Sequence, residues 1–499
     1  MKLTSLYIDN YKLLKNFSID FKKDISVLIG VNGSGKSSIL ESIAQIFSDA
    51  FLNQKSKFGF KLTYELRLEE ILEKTATTSE FITDYIRVEI SALKKNTELS
   101  FKVFVADKIL EDKESIEKRF NNFHKILPSN IVIYYSGLSD IMKGICEPHD
   151  QILSKQYRDG NINVQRPFFY FESALFDIIL ISLLSYEFGD IPGYLAERAK
   201  IEQIESIKFR LKKPTWAKGK ANNWWGADGK IKDFLDFLES IGSPLIIDDM
   251  APSKGRPGNV IIENWQDEIL IVTIIGREKL FEIREHFVEE KALFKILNTL
   301  YIDGLWIDAK FNFIKKDGGE IKGFSVLSEG EQQSIIVKGL TELVTDENTL
   351  FLFDEPDTYL HPSWQRNFIE EIIKFIEFNQ SISSQFLITT HSPQLLSNAI
   401  PEKSEVQILE DGEIIKITPK YYGRDISTIL YELMGVERRN KKVAKQLSNL
   451  FNLIEDEDLK IVKEEFSILS ELLGEDDPAI VRAKTQIDYL EESINETDK

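Results

Sequence analysis

Gly30-Val31-Asn32-Gly33-Ser34-Gly35-Lys36-Ser37 places glycines, a lysine and a hydroxyl at the spacing G-x-x-x-x-G-K-S. Glycines let the backbone curl so that successive N–H groups face a phosphate chain that side chains would otherwise keep away. Lys36 is then suited to the β/γ-phosphates and the Ser37 hydroxyl to Mg²⁺. The positive end of the helix that follows, which includes Ser38, offsets negative charge. Candidate nucleotide contacts are therefore Gly30, Asn32, Gly33, Ser34, Gly35, Lys36, Ser37 and Ser38.

Carboxylates come next. Thr349-Leu-Phe-Leu-Phe353 reads as a buried strand ending in Asp354-Glu355, where Asp354 could hold Mg²⁺ through water and Glu355 could polarise an attacking water. Capping of the following helix fits Asp357-Thr358 better than it fits Asp354 and Glu355. Gln385-Phe-Leu-Ile-Thr-Thr390-His391-Ser392-Pro393 is another apolar strand whose end presents one histidine. Lys36, Glu355 and His391 are the catalytic candidates, and Ser37 and Asp354 the metal candidates.

Leu327-Ser-Glu-Gly-Glu-Gln-Gln333, directly before a helical run, resembles the signature of ABC-type ATPases. The resemblance implies that Ser328, Gly330 and Glu331 engage the γ-phosphate of an ATP held by a second subunit, giving a homodimer with composite sites and a higher homo-oligomer built from it. It also implies ATP and Mg²⁺ as ligands, with His391 sensing the γ-phosphate. Glu329 departs from the family pattern, standing where a glycine is usual and bringing a carboxylate toward the incoming phosphate. None of Gln151, Gln156 and Gln165 has the neighbours that would mark the family's Q-loop glutamine.

Asp354-Glu-Pro-Asp-Thr-Tyr-Leu-His361-Pro362 resembles the D-E-P-x-x-x-L-H-P form of overcoming-lysogenization-defect-type ATPases, which makes His361 a dimer-contact candidate. With Arg424-Asp-Ile and Leu430-Tyr-Glu-Leu-Met-Gly435 in a short helical tail, the chain is similar to the ATPase subunit of Septu-type and retron-associated anti-phage systems. That likeness implies a separate HNH-type nuclease as partner. Asp456-Glu-Asp458 nominally fits a Toprim D-x-D, but it lies among helical stripes, so the chain itself is not expected to be a nuclease. Two other readings stay open: a DNA-repair ATPase that clamps or loads on DNA, without sustained heptads for long coiled-coil arms, and a nucleotide switch that does not hydrolyse, which the Asp354-Glu355 pair disfavours.

These residues need a particular scaffold. Ile25–Ile29 has strand character, and Leu40, Ile43 and Phe47 recur at helical spacing, so the loop lies between strand and helix. Leu3–Asp9 and Phe17–Phe21 read as strands flanking Tyr11 and Lys12, which could lie near the adenine or the phosphates. Phe60–Leu68, Tyr85–Leu93 and Glu98–Ala106 suggest an antiparallel β-layer, and Ile131–Tyr135 a strand returning to the central sheet. The fold class expected is α/β: an ABC-type P-loop ATPase head with an antiparallel β-layer, a helical insertion and a C-terminal helical tail. The expected divisions are 1–139, an N-terminal ATPase lobe; 140–300, a mainly helical insertion; 301–425, a C-terminal ATPase lobe; and 426–499, a helical tail for a partner or self-assembly.

Within the insertion, Phe168–Phe188, Lys230–Ile241 and Arg277–Leu300 read as helical, and Val260–Glu263 with Ile269–Ile275 as a hairpin. Another hairpin joins Leu305–Ile314 to Ile321–Val326, and a last one Val406–Leu409 to Glu413–Ile417. Residues 212–225 mix lysines with Trp216, Trp224 and Trp225; they could contact nucleic acid, or form a loop whose tryptophans pack onto the arm. In the tail, Val443, Leu447, Leu450 and Ile454 form one apolar stripe and Leu459, Val462, Phe466 and Leu469 another.

Bulk properties narrow the classes. The 499 residues exceed one ordinary domain, and 62 basic against 81 acidic residues give a formal charge of −19, which argues against a broad DNA-coating surface. The single cysteine, Cys146, excludes an intrachain disulfide and fits a reducing cytoplasmic setting. Apolar runs such as Leu175–Tyr186 are too short to span a membrane.

Overall fold

The computed structural model describes residues 1–67, 85–105, 108–137, 139–158, 166–184, 190–198, 200–218, 221–247, 269–315, 320–322, 327–379, 383–415, 419–435, 439–456 and 458–497. Its contacts divide the chain into Met1–Arg424 and Asp425–Lys499.

The first unit is organised on a seven-stranded sheet in the order Glu413–Ile414, Ser404–Glu410, Ile25–Ile29, Ser383–Thr389, Asn348–Asp354, Asn130–Tyr135 and Phe168–Tyr170. From Ser404–Glu410 to Phe168–Tyr170 every neighbouring pair runs parallel. Parallel strands are covered on both faces, which is why Leu350-Phe-Leu-Phe353 and Phe386-Leu-Ile388 are continuous apolar runs, all fully buried. Phe351 and Phe386, paired in register, stack with centroids 4.2 Å apart. The helix Lys36–Phe51 follows the phosphate-loop strand and is buried from Ile39 to Ala50.

Six antiparallel strands form the second layer, in the order Leu14–Asp20, Lys2–Tyr11, Phe60–Arg67, Tyr85–Ala92, Ser100–Val105 and Lys108–Leu110. Alternation decides its inner face: Leu62, Tyr64, Leu66, Ile86, Val88 and Ile90 are buried with Phe47 and Ile43 of the Lys36–Phe51 helix in one core. Phe47 meets Tyr64 edge to face at 5.3 Å.

Residues 140–300 hold strands as well as the expected helices. Helices Ile141–Arg158, Phe176–Leu184, Asp190–Arg198, Gly229–Ile241, Arg277–His286 and Glu290–Ile302 are present, but so is much of a five-stranded antiparallel sheet. Its order is Ser243–Ile247, Ile269–Ile275, Ile201–Lys212, Trp306–Lys315 and Glu320–Lys322. Ile269–Ile275 thus pairs with Ser243–Ile247 and Ile201–Lys212, while the expected partner Val260–Glu263 lies outside the described residues. Trp306–Lys315 does pair with Glu320–Lys322; residues 323–326 are likewise outside. Phe168–Tyr170 is a strand and not the start of a helix, and the run 277–300 is broken by the C-cap at Phe287. Among the described residues no helix is long and apolar enough to cross a membrane.

The second unit has helices Ile426–Met434, Lys441–Glu455, Leu459–Leu473 and Pro478–Thr497. Leu447, Leu450, Ile454, Val462, Leu469, Ile480, Ala483 and Ile487 form its core, so the apolar stripes face one another. Asp458 is the N-cap of Leu459–Leu473, accepting from Ile461 N.

Candidate nucleotide site

Three neighbouring parallel strands, Ile25–Ile29, Ser383–Thr389 and Asn348–Asp354, end on the same side and carry the phosphate loop, His391 and the carboxylates. Ligands of parallel α/β sheets bind at such carboxyl ends. Their adjacency brings Lys36, Ser37, Asp354, Glu355 and His391 together.

The loop is tightly fitted. A Cβ at Gly30 would lie 2.1 Å from the Leu409 carbonyl oxygen, so only glycine lets this backbone pass the neighbouring strand. Gly33 and Gly35 follow with φ of 80° and 108°. Lys36 is buried, and its Nζ donates to the carbonyls of Gly30 at 2.9 Å and Val31 at 3.3 Å. Burial holds its pKa below the ordinary lysine value, against the opposing pull of Glu355 and Asp354. Ser34 is buried too, and its Oγ has no hydrogen-bond partner among the described residues. A donor of that kind beside a lysine and a curled backbone fits a phosphate.

Ser37 Oγ donates to both Asp354 oxygens at 3.0 Å, bringing the two metal candidates to one point. Thr389 Oγ1 donates to the same carboxylate from the neighbouring strand. Burial raises the Asp354 pKa. A hydroxyl and a carboxylate are the hard oxygen ligands Mg²⁺ takes.

Glu355 leaves its strand at φ 51°, a left-handed conformation that costs a non-glycine residue about 1–3 kcal/mol. It is held there by its N–H, which donates to Thr389 O at 3.0 Å and to Thr389 Oγ1 at 3.1 Å. The strained turn brings Glu355 Oε1 to 3.0 Å from His391 Nε2. Hydrogen bonding to His391 keeps the Glu355 carboxyl below the usual range.

Ser328, Gly330 and Glu331 lie at the start of the helix Glu329–Leu343. Ser328 and Glu331 are joined in a capping box: Glu331 N donates to Ser328 Oγ at 3.3 Å and Ser328 N to Glu331 Oε2 at 2.7 Å. A Cβ at Gly330 would lie 2.9 Å from Tyr359 O, so this glycine lets the helix press on the loop after the carboxylates. Glu329 is exposed.

Other expected positions resolve differently. Tyr11 and Lys12 both reach the buried Glu41, on the helix that follows the phosphate loop. Asp357 does not cap the next helix; His361 does, accepting from Ser363 N, while Asp357 accepts from Thr390 Oγ1 at 2.8 Å. Burial pushes the Asp357 pKa up to about 6. Gln151 and Gln156 lie on the helix Ile141–Arg158, and Gln165 is outside the described residues. Trp224 and Trp225 are buried and Trp216 donates from Nε1 to Asp303 O at 3.0 Å, so two of the three tryptophans between 212 and 225 offer no face to a base. Cys146 is buried.

Sequence reasoning missed several contacts. Tyr134 OH donates to Gln333 Oε1 at 2.7 Å, and Gln333 Nε2 to Pro356 O at 2.6 Å, joining the signature helix to the carboxylate loop. Gln333 closes the quoted signature heptad, but its partners are brought close only by the fold. Among the described residues no cluster of three or more His, Cys, Asp or Glu is placed to hold a metal.

Residues 1–169 match the model described as an AAA ATPase domain, and residues 225–397 match an AAA domain described as a putative AbiEii toxin of a type IV toxin–antitoxin system. Across 98% of its length the chain is 23% identical to the retron Ec83 probable ATPase of Escherichia coli, covering 87% of that protein. It is 26% identical to the Septu protein PtuA of Bacillus thuringiensis, over 45% of this chain and 61% of PtuA. Among solved structures it is similar to an SMC head bound to the C-winged-helix domain of ScpA, at TM-score 0.36 and 14% identity, covering 83% of this chain and 98% of that one.

Proposed function

From the premise that this chain carries AAA ATPase domains and is homologous to a retron ATPase and to Septu PtuA, we propose that it binds and hydrolyses ATP as a subunit of an anti-phage defence complex, where it regulates a separate HNH-type nuclease. The observation that carries the ATPase reading is the meeting of Lys36, Ser37, Asp354, Glu355 and His391 at adjacent strand ends.

In this reading the loop N–H groups and Lys36 hold the β/γ-phosphates, and Ser37 and Asp354 hold Mg²⁺, which when bound neutralises phosphate charge. Glu355 orients and polarises the attacking water, and His391 donates toward the γ-phosphate while fixing Glu355. Ser328, Gly330 and Glu331, with their helix N-terminus, serve a nucleotide held by a second copy. The domain roles follow: an N-terminal lobe to 139, an insertion to 300, a second lobe to 425 and a tail for assembly. Nuclease chemistry is assigned to the partner.

The test is to express the chain with its neighbouring reading frame, purify through a tag on this chain, and assay DNA cutting with and without ATP. A co-purifying nuclease whose cutting responds to ATP is the expected result. If nothing co-purifies and DNA instead stimulates ATP hydrolysis, a repair-type ATPase replaces this reading. DNA cutting by the purified chain alone that survives Glu355→Gln would overturn the division of labour.

A further inference from the structure

Glu355 and His391 each stand just past a strand end, where the sheet's hydrogen-bond ladder no longer fixes the backbone. Something beyond the sheet must hold them in register. Gln365, in the first turn of the helix Pro362–Phe378, supplies a two-sided contact. Its Nε2 donates to the Asp357 carbonyl at 2.9 Å, and its Oε1 accepts from Ser392 Oγ at 2.9 Å. The first bond grips the loop two residues after Glu355, the second the residue next to His391. Between them Thr390 Oγ1 donates to Asp357 Oδ2, and Ser392 N donates to Thr390 Oγ1 at 2.9 Å. Asp357, Thr390 and Ser392 are all buried, so water is a poor substitute for these partners.

We propose that Gln365 is a positioning residue for the Glu355–His391 pair, clamping the loop after the carboxylates to the residue after the histidine. The chemistry calls for a primary amide of this length. Leucine offers neither a donor nor an acceptor, glutamate loses the donor, and asparagine is one methylene short. Ser392 cannot replace it, because its Oγ also accepts from Leu395 N and caps the next short helix. The clamp also ties together two boxes distant in sequence, Leu360-His-Pro362 with Gln365 and Thr389-Thr-His-Ser-Pro393. Gln365 itself hydrogen-bonds neither Glu355 nor His391; it acts through the Asp357 carbonyl and the Ser392 hydroxyl that follow them.

The inference rests on the ATPase reading. It is tested with the full chain and Mg²⁺-ATP in the wild type, Glu355→Gln, Gln365→Leu, Ser392→Ala and the Gln365→Leu/Ser392→Ala pair, measuring kcat, KM, binding of a fluorescent ATP analogue and thermal melting. A displacement near 1 Å at a reacting pair costs up to about 100-fold, so Gln365→Leu should lower kcat roughly 10- to 100-fold with KM and analogue binding within about 3-fold. Residues sharing one contact are not additive, so the double variant should be about as slow as the slower single one. A kcat within about 2-fold of wild type in folded Gln365→Leu would overturn the proposal, as would losses of analogue binding that match the loss of kcat, or independent, multiplying effects in the double variant. Should Gln365→Leu fail to fold, Gln365→Glu keeps length and the acceptor toward Ser392, and the same fall in kcat is expected from its missing donor. A wild type that binds but does not turn over ATP would sink the ATPase reading itself, whereas turnover abolished by Glu355→Gln and untouched by Gln365→Leu would sink only the clamp.

Discussion

In the central parallel sheet the side chains of the candidate site project from strand ends, while in the five-stranded antiparallel sheet polar side chains sit along the strands and hold the sheet itself. Asp354, Glu355 and His391 belong to the first kind, and Ser37 meets them from the start of the helix Lys36–Phe51. Arg210 belongs to the second: it faces Asp308 in register and donates from Nε and Nη2 at 2.6 and 2.7 Å. Asp177, on the helix Phe176–Leu184, holds the same sheet from outside it, accepting from Ala309 N at 3.0 Å. A strand end leaves backbone and side chains open to a ligand, whereas a strand middle spends them on its neighbours. Damage at the two places should therefore separate chemistry from stability.

The sharpest separation is expected at Glu355. Glu355→Gln should lower ATP turnover by about 10²- to 10⁴-fold, the usual range for losing a positioned base, while ATP binding and melting temperature stay close to wild type. Lys36→Ala should instead abolish nucleotide binding, read by equilibrium titration. Equal turnover in the wild type and Glu355→Gln would break the comparison at its functional side.

Trp225→Ala tests the opposite side. Trp225 is fully buried, and its loss should cost roughly 3–5 kcal/mol in denaturant unfolding. Turnover by the remaining folded protein should persist at low temperature. If nucleotide binding is lost instead, scaffold and site are not separable.

Asp357 lies between these extremes, since it is a scaffold residue within the site. Its folded pKa of about 6 exceeds the ordinary carboxylate value, so the folded chain binds more protons than the unfolded one between about pH 4 and 6. Stability should therefore fall as pH rises through that window, by on the order of 2 kcal/mol from this group. Asp357→Asn should flatten that part of a pH series of melting curves; an unchanged slope would assign it to other groups. The smallest effect is expected at Arg210→Ala, because the Arg210–Asp308 pair is partly exposed and such pairs contribute about 1 kcal/mol or less.

The same contrast governs what could be read from the sequence. Ile201–Lys212 went unread as a strand for a physical reason: its buried residues Ile201, Ile204 and Ile207 are three apart, as on a helix, before Phe209 and Leu211 alternate. Register shifts between Ile201 and Gln203 and between Ile204 and Ser206 supply the extra residues, so bulges turn a period of two into a period of three. Trp224 and Trp225, beside lysines, fit either a nucleic-acid contact or a loop packed by its tryptophans, and their burial favours the second. Composition does not say which way a side chain faces.

By itself the sequence determined the candidate phosphate loop, carboxylate pair and histidine, because phosphate and Mg²⁺ chemistry restrict both residue type and local spacing, and each motif ends or follows a short apolar run. Only the tertiary structure decided the company those residues keep. That Thr389 supports Asp354, that Gln333 links Tyr134 to Pro356, and that Gln365 spans Asp357 and Ser392 depends on strand order and on helices returning over it. Such partners are far apart along the chain, and a hydrogen bond leaves no spacing rule between residues that meet only after the sheet has formed.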